Sequence, residues 1–263
     1  MVSVSVLLPV WNGESLLTYC LESVGHQTVQ DFEIIAVDDG STDRTLAKLH
    51  AYEYKLPIHI FSSGFDWRNK PVHVGLARSC NVAVSMAKGD YLAFIGHDDL
   101  WVPNKLEREL EAIKESNADV VYSDFMLQVE NGERRPIHIA EFDSKRLRKE
   151  CYINASSALI SKMAVQRLGR KPFDETLHSA MDWDFWIRLS AFATFHHLPE
   201  VLSVYTRHSR QLSRGFNHRL QELRVYTRYN GVSPSYLYRT LIWPYAYRAL
   251  HYPIRFLEKK GFA

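Results

Sequence analysis

The chain has 263 residues, 46% of them apolar, which suits one large domain, or one domain with an extension, around an ordinary core. Cys20, Cys80 and Cys151 lie far apart in sequence; this argues against a disulfide framework or a paired-thiolate metal site and fits a reducing, cytoplasmic setting. The formal charge of +2 hides an asymmetry: residues 206–263 hold 11 Lys and Arg against 2 Asp and Glu, a formal +9 on a body of formal −7, so an anionic surface or ligand is expected near the tail, and the acidic body argues against a nucleic-acid binder.

The N-terminal "VSVLLPV" has no basic segment ahead of it and reads as a first buried strand, not a signal peptide. A helical period follows over 14–27, then a second strand, "FEIIAVDDGS". The segment 41–54 opens like a helix with Ser41 or Thr42 as N-cap. "PIHIFSS" is a third strand, 74–89 a helix with Gly89 as a C-cap, and "DYLAFIG" a fourth strand. Repeated strand–helix–strand units imply a mostly parallel sheet covered on both faces, Rossmann-like in plan. A helix over 103–119 follows, with Pro103 near its first turn. Residues 120–139 read as a hairpin about Asn131-Gly132, 156–169 and 180–193 as helices, and 201–209 as a short strand. The nucleotide-binding-like half is thus followed by a mixed half, and the last fifty residues are helical and rich in Tyr and Arg. No apolar stretch reaches membrane-spanning length.

In parallel sheets, ligands bind beyond the carboxyl ends of the strands. Three ends are unusually polar: "PVWNGE", "VDDGSTD" and "GHDDLW". The pairs Asp38-Asp39 and Asp98-Asp99 repel unless a cation or hydrogen-bond donors gather there, and hard cations such as Mg²⁺ or Mn²⁺ bridge carboxylates to substrate phosphates. Neither GxGxxG nor GxxxxGK[ST] follows a strand, which argues against a dehydrogenase or P-loop NTPase and leaves phosphates to metal and basic side chains.

The run from "VSVLLPVWNGES" through "VDDGSTDRT", "GLARSCN" and "GHDDLWVPNKLE" resembles family 2 glycosyltransferases of the GT-A fold, over 2–212. The resemblance implies a domain over 1–212, with a helical basic-aromatic extension over 213–263 and the mixed half on the acceptor side. It places Pro9, Trp11, Asn12 and Glu14 around the nucleotide base and ribose. Asp39, with Asp38 beside it, would take a hydrogen bond from uracil. Arg78 and Asn81 would face the nucleotide, Asp98 ribose or metal, and Asp99 the metal on the diphosphate. Many members read Asp-x-Asp-Asp there; here Gly96 and His97 stand in the first two positions. In "SAMDWDFWIRLS" Asp182 matches the general base, although Met181 replaces a common Glu. In "VLSVYTRHSRQLS" His208 matches a position that often completes the metal site, with Arg207, Arg210 and Arg214 close by.

These readings imply an inverting, metal-dependent transferase of hexosyl type. It would move a sugar from a UDP-sugar to a glycan or lipid-linked acceptor in surface polysaccharide or glycan synthesis. A nucleotidyltransferase acting on sugar phosphates and a non-catalytic nucleotide-sugar-binding relative stay open. The Tyr, Trp and Arg interleaved over 233–260 suit peripheral contact with the inner face of a membrane, or a cap packed on the domain.

Overall fold

The computed structural model describes residues 2–66, 68–209, 211, 213 and 215–242, the last by its backbone. Strand β1 (Val4–Val10) is buried along its whole length. Val4, Val6, Leu8 and Val10 enter one core and Leu7 the other. A strand covered on both faces has no polar side, hence the continuous apolar run. After α1 (Leu17–Gly25), β2 (Phe32–Asp38) pairs parallel with β1, and after α2 (Thr45–Tyr52), β3 (Ile58–Ser62) pairs parallel with β2. Helix α3 (Leu76–Met86) then returns the chain across the sheet to β4 (Tyr91–Phe94), parallel to β1 on its other side. The winding reverses between β1 and β4, and that reversal opens a crevice at the carboxyl ends of both strands.

Beyond β4 the sheet becomes mixed. It continues through β5 (Leu100–Trp101), α4 (Lys105–Ser116), β6 (Val120–Val129), β7 (Arg134–Ile137), α5 (Ser144–Leu147), β8 (Ala158–Ser161), α6 (Lys162–Gln166), α7 (Met181–Leu189) and β9 (Phe195–Arg207). The strand order is β3-β2-β1-β4-β8-β6-β9-β5, with β7 on β6. The hairpin turn at Gly132, φ 85°, is where the sequence places it.

Several local expectations change. The helix expected over 156–169 is a 3₁₀ turn, then β8, then the five-residue α6; Leu159 and Ile160 are buried between β4 and β6, and tertiary pairing overrides the helical period. The short strand over 201–209 is the end of the thirteen-residue β9. Neither Ser41 nor Thr42 caps α2, whose N-cap is Arg44; Asp43 accepts from Thr45 N at 3.0 Å instead. Gly89 is no C-cap either. A Cβ there would lie 2.6 Å from Ser5 N, so glycine permits the close approach to β1.

After β9 come α8 (Phe216–Asn230) and α9 (Pro234–Leu237). Val225 of α8 is fully buried in the core that holds Leu7 and Trp186. Arg228 Nη1 and the Tyr229 hydroxyl donate to Asp184 Oδ1, each at 2.7 Å, and Arg188 Nε donates to Oδ2 at 2.7 Å. Asp184 is fully buried, so these donors offset the desolvation of its charge. Tyr236 stacks on Tyr226 with ring centroids 3.5 Å apart. Residues 243–263, most of the segment read as a membrane dock, lie outside the described residues. No helix among the described residues is long and apolar enough to cross a membrane.

Candidate active site

A cleft of about 750 Å³ opens at the carboxyl ends of β1 and β4. One wall of it starts at Pro9 and Trp11. The β1–β4 register stops at Leu7, so Pro9 interrupts no ladder bond on that side. The loop after β1 is stitched to the loop after β2. Asn12 N donates to Ser41 Oγ at 2.9 Å, Thr42 N to Asn12 Oδ1 at 2.8 Å, and Gly13 N to Thr45 Oγ1 at 2.8 Å. Below them Asp39 is buried and surrounded by donors. Ser63 Oγ (2.5 Å) and Val74 N (2.9 Å) donate to Oδ1, Gly75 N (3.0 Å) donates to Oδ2, and His73 Nδ1 lies 2.9 Å from Oδ2. The His73 ring stacks on Trp11, centroids 4.2 Å apart.

Asp98 and Asp99 sit in the turn from β4 to β5, and they divide the work. Asp99 is buried: Ser156 Oγ donates to Oδ2 at 2.5 Å and Thr206 N to Oδ1 at 3.0 Å. Burial, and then the charge of Asp98, push its carboxyl well above the usual range. Asp98 is the more open, with His208 Nε2 2.9 Å from its Oδ2 and Gln211 Nε2 donating at 3.3 Å. The length of β9 delivers both Thr206 and His208 to this turn. The half-buried His97 is pushed below the ordinary imidazole value, first by burial.

Across the cleft, Asp182 stands at the second residue of α7, after Ala180 at φ 55°. Its Oδ1 accepts from Trp183 N at 2.9 Å. Burial raises the carboxyl above the ordinary value against the pull of that N–H and of His218. Trp183 itself is core, its indole N–H donating to Leu147 O.

Of the residues singled out in the sequence, Pro9, Trp11, Asn12, Asp39, Asp98, Asp99, Asp182 and His208 line the cleft. Four others do not. Asp38 accepts from Ser41 N within its own turn. Glu14 pairs with Arg44 at 2.7 Å. Arg78 is exposed; Glu175 is held below its usual value against burial by hydrogen bonds from Asn81 and Lys171, with the charge of Arg78 adding least. Asn81 is buried and brackets Phe173, donating to its carbonyl and accepting from its N–H, each at 2.9 Å. The sequence reading missed His73, Ser156, Gln211, His218 and Glu222, which also line the cleft. Ser156 lay in a stretch read as helix, and the others follow no local pattern.

The model of the family described as "Glycosyl transferase family 2" matches residues 5–221. The chain belongs to glycosyl transferase family 2. An uncharacterized glycosyltransferase of Rickettsia bellii is 27% identical over 221 residues, 80% of this chain and 31% of that protein. Escherichia coli chondroitin synthase is 28% identical over 75% of this chain and 28% of its own length. The chain thus spans about a third of these relatives. Among solved structures, Staphylococcus aureus TarS 1–349 in complex with UDP-GlcNAc has a TM-score of 0.69 at 21% identity, covering 95% of this chain and 73% of that one. The mannosyltransferase PcManGT of Pyrobaculum calidifontis, in complex with GDP-Man and Mn²⁺, has a TM-score of 0.61 at 16% identity over 95% of this chain and 70% of that one. The fold is that of the GT-A glycosyltransferases.

The residues of the β4–β5 turn fit a divalent cation of the kind such a fold implies. The donors are carboxylate oxygens and an imidazole, the set that suits Mg²⁺ or Mn²⁺. The buried Gln211 Oε1 has no partner. A Cβ at Gly96 would lie 2.7 Å from Asp98 Oδ1, so glycine keeps the approach clear. No group of three or more His, Cys, Asp or Glu forms a ligand set among the described residues. A cation held here would need further ligands, and substrate phosphate oxygens are the common source for Mg²⁺.

Proposed function

We propose that this chain is an inverting hexosyltransferase that moves a sugar from a UDP-sugar to an acceptor hydroxyl, with Mn²⁺ or Mg²⁺, in surface polysaccharide or glycan synthesis. The acceptor is a glycan or lipid-linked hydroxyl. The observation that carries the reading is the placement of Asp39, Asp98, Asp99, His208 and Asp182 around one cleft, although they come from four separate stretches of chain. Relatives solved with UDP-GlcNAc, or with GDP-Man and Mn²⁺, support a nucleotide-sugar donor and a cation.

In this reading Pro9 and Trp11 flank the base, and Asp39 accepts its ring N–H once His73 moves off Oδ2. Asp98 and His208 hold the cation, with the Gln211 carbonyl beside them. Asp99 fixes the turn through Ser156 and Thr206. When bound, the cation neutralises charge developing on the leaving diphosphate. Asp182 takes the proton of the acceptor hydroxyl as its oxygen attacks the anomeric carbon from the opposite side. Its raised proton affinity makes it a better base than an ordinary carboxylate, provided it is ionised.

The test is a panel of nucleotide sugars scored by thermal shift with and without Mn²⁺, since ligand binding to the native state raises apparent stability. A UDP-sugar should raise Tm further with Mn²⁺ than without it, and early product should have the inverted anomeric configuration by NMR. A panel with no stabilising nucleotide sugar would overturn the reading, and a retained anomer would overturn the role of Asp182.

A further inference from the structure

Helix α8 begins beyond the sequence motifs that carry the family resemblance, yet it forms the wall of the cleft beside Asp182. His218 and Glu222 lie one turn apart, so they share a face, and both line the cleft. His218 Nδ1 is 3.0 Å from Ser179 Oγ, and its Nε2 is 3.5 Å from Glu222 Oε1. Ser179 belongs to the turn that enters α7, next to Ala180 in its left-handed conformation. Such a conformation is costly for a residue with a Cβ and persists where surrounding contacts hold it. The imidazole therefore ties α8 to the strained turn that presents Asp182.

The same two side chains act on Asp182 through space. His218 draws its proton affinity down and Glu222 draws it up, on a carboxyl that burial raises. Among the described residues, Cys80 on α3, Tyr205 on β9 and Cys151 also feel the charge of Asp182, all pushed up first by burial. Thiols and a phenol shifted that way stay neutral near neutral pH and add no charge of their own. Among these neighbours, the opposing charges belong to His218 and Glu222.

We infer that His218 and Glu222 are a pair of positioning residues for Asp182, His218 holding the turn that carries the carboxylate and both together governing when it can accept the acceptor proton. The inference rests on the reading of Asp182 as general base.

The signature is a pair of opposite displacements, which damage to the fold alone does not give. The measurement is the pH profile of nucleotide-sugar hydrolysis for the parent, His218→Gln and Glu222→Gln, with the donor that stabilises the parent most. The base must be ionised, so the rate rises with pH through its titration. Loss of the imidazole should move that acid limb to higher pH, and loss of the carboxylate should move it lower. The thermal shift with UDP and Mn²⁺ should match the parent in both variants. Ser179→Ala should lower kcat across the profile without moving the limb. A ¹³C NMR titration of the Asp182 carboxyl in the same three proteins should show the same displacements without turnover. Coincident titrations in all three proteins would overturn the inference. Hydrolysis of no donor by the parent would instead sink the function proposed for Asp182, and the NMR titrations would still decide the coupling.

Discussion

At the scale of single residues, the β4–β5 turn explains why a strand ends in two adjacent carboxylates. Asp98 meets His208 at the cleft, while Asp99 faces inward onto Ser156 Oγ and Thr206 N. The sequence shows the pair, but the division between them depends on partners 57 and 107 residues away. Asp99→Asn tests it, because the amide carbonyl still accepts from Thr206 N while its NH₂ donates to Ser156. Replacing a buried carboxylate by a neutral isostere removes a desolvation cost, so Tm without metal should hold or rise; a large fall would contradict the inward assignment. Asp98→Asn should cost most of the Mn²⁺-dependent gain in UDP affinity, read by calorimetry with and without the metal. His73 was invisible in sequence because its contact with Asp39 depends on how the loop 64–75 folds back. His73→Ala should leave UDP binding intact or tighten it, since the imidazole sits on the Asp39 oxygen that the proposed donor pose would use.

At the scale of elements, α4 shows what periodicity reads and what it hides. Its amphipathic pattern places the helix correctly. The i,i+4 spacing of Lys105 and Glu109 looks like a solvated surface pair, yet both are fully buried, 2.5 Å apart, with Lys105 over the Trp101 ring at 4.3 Å. Burial lowers the lysine and raises Glu109 to about 7, so desolvation outweighs the pairing. Breaking the pair with Lys105→Met alone should cost about 3–5 kcal/mol in urea unfolding, whereas Lys105→Met with Glu109→Leu should be neutral or stabilising. Because the carboxyl is raised on folding, its contribution is complete at acid pH and lost as pH rises through about 7. The double variant should lack that part of the pH dependence of Tm. The strand β8 was misread for the opposite reason: its apolar run of three residues, Ala158 to Ile160, carries no period of its own, and its neighbours β4 and β6 decide it.

At the scale of the whole molecule, the parallel half was legible because its central strands β1 and β2 are buried along their whole length, and the mixed half was only partly so. The basic extension read as a segment apart, yet α8 sends Val225 into the core, Arg228 and Tyr229 onto Asp184, and His218 to the cleft wall. Arg228→Ala should destabilise by about 2 kcal/mol, since Asp184 loses a charged donor in a buried setting. Truncation before Ser233 leaves those contacts in place. It should preserve UDP binding and lower Tm only modestly, through loss of the Tyr226–Tyr236 stack. If the remaining tail docks on a membrane, the shortened chain should also lose salt-sensitive co-sedimentation with anionic vesicles, each basic side chain near the surface contributing about 1 kcal/mol.

In the proposed function, one cleft holds a donor site on β1–β4 and a separate base on α7. The most direct measurement compares the parent with Asp182→Asn for UDP affinity in Mn²⁺ and for turnover of the best UDP-sugar. Affinity should be equal in the two proteins, and kcat should fall by about 10²–10⁴-fold in the variant. Undiminished turnover in the variant, or loss of UDP binding together with turnover, would contradict that function.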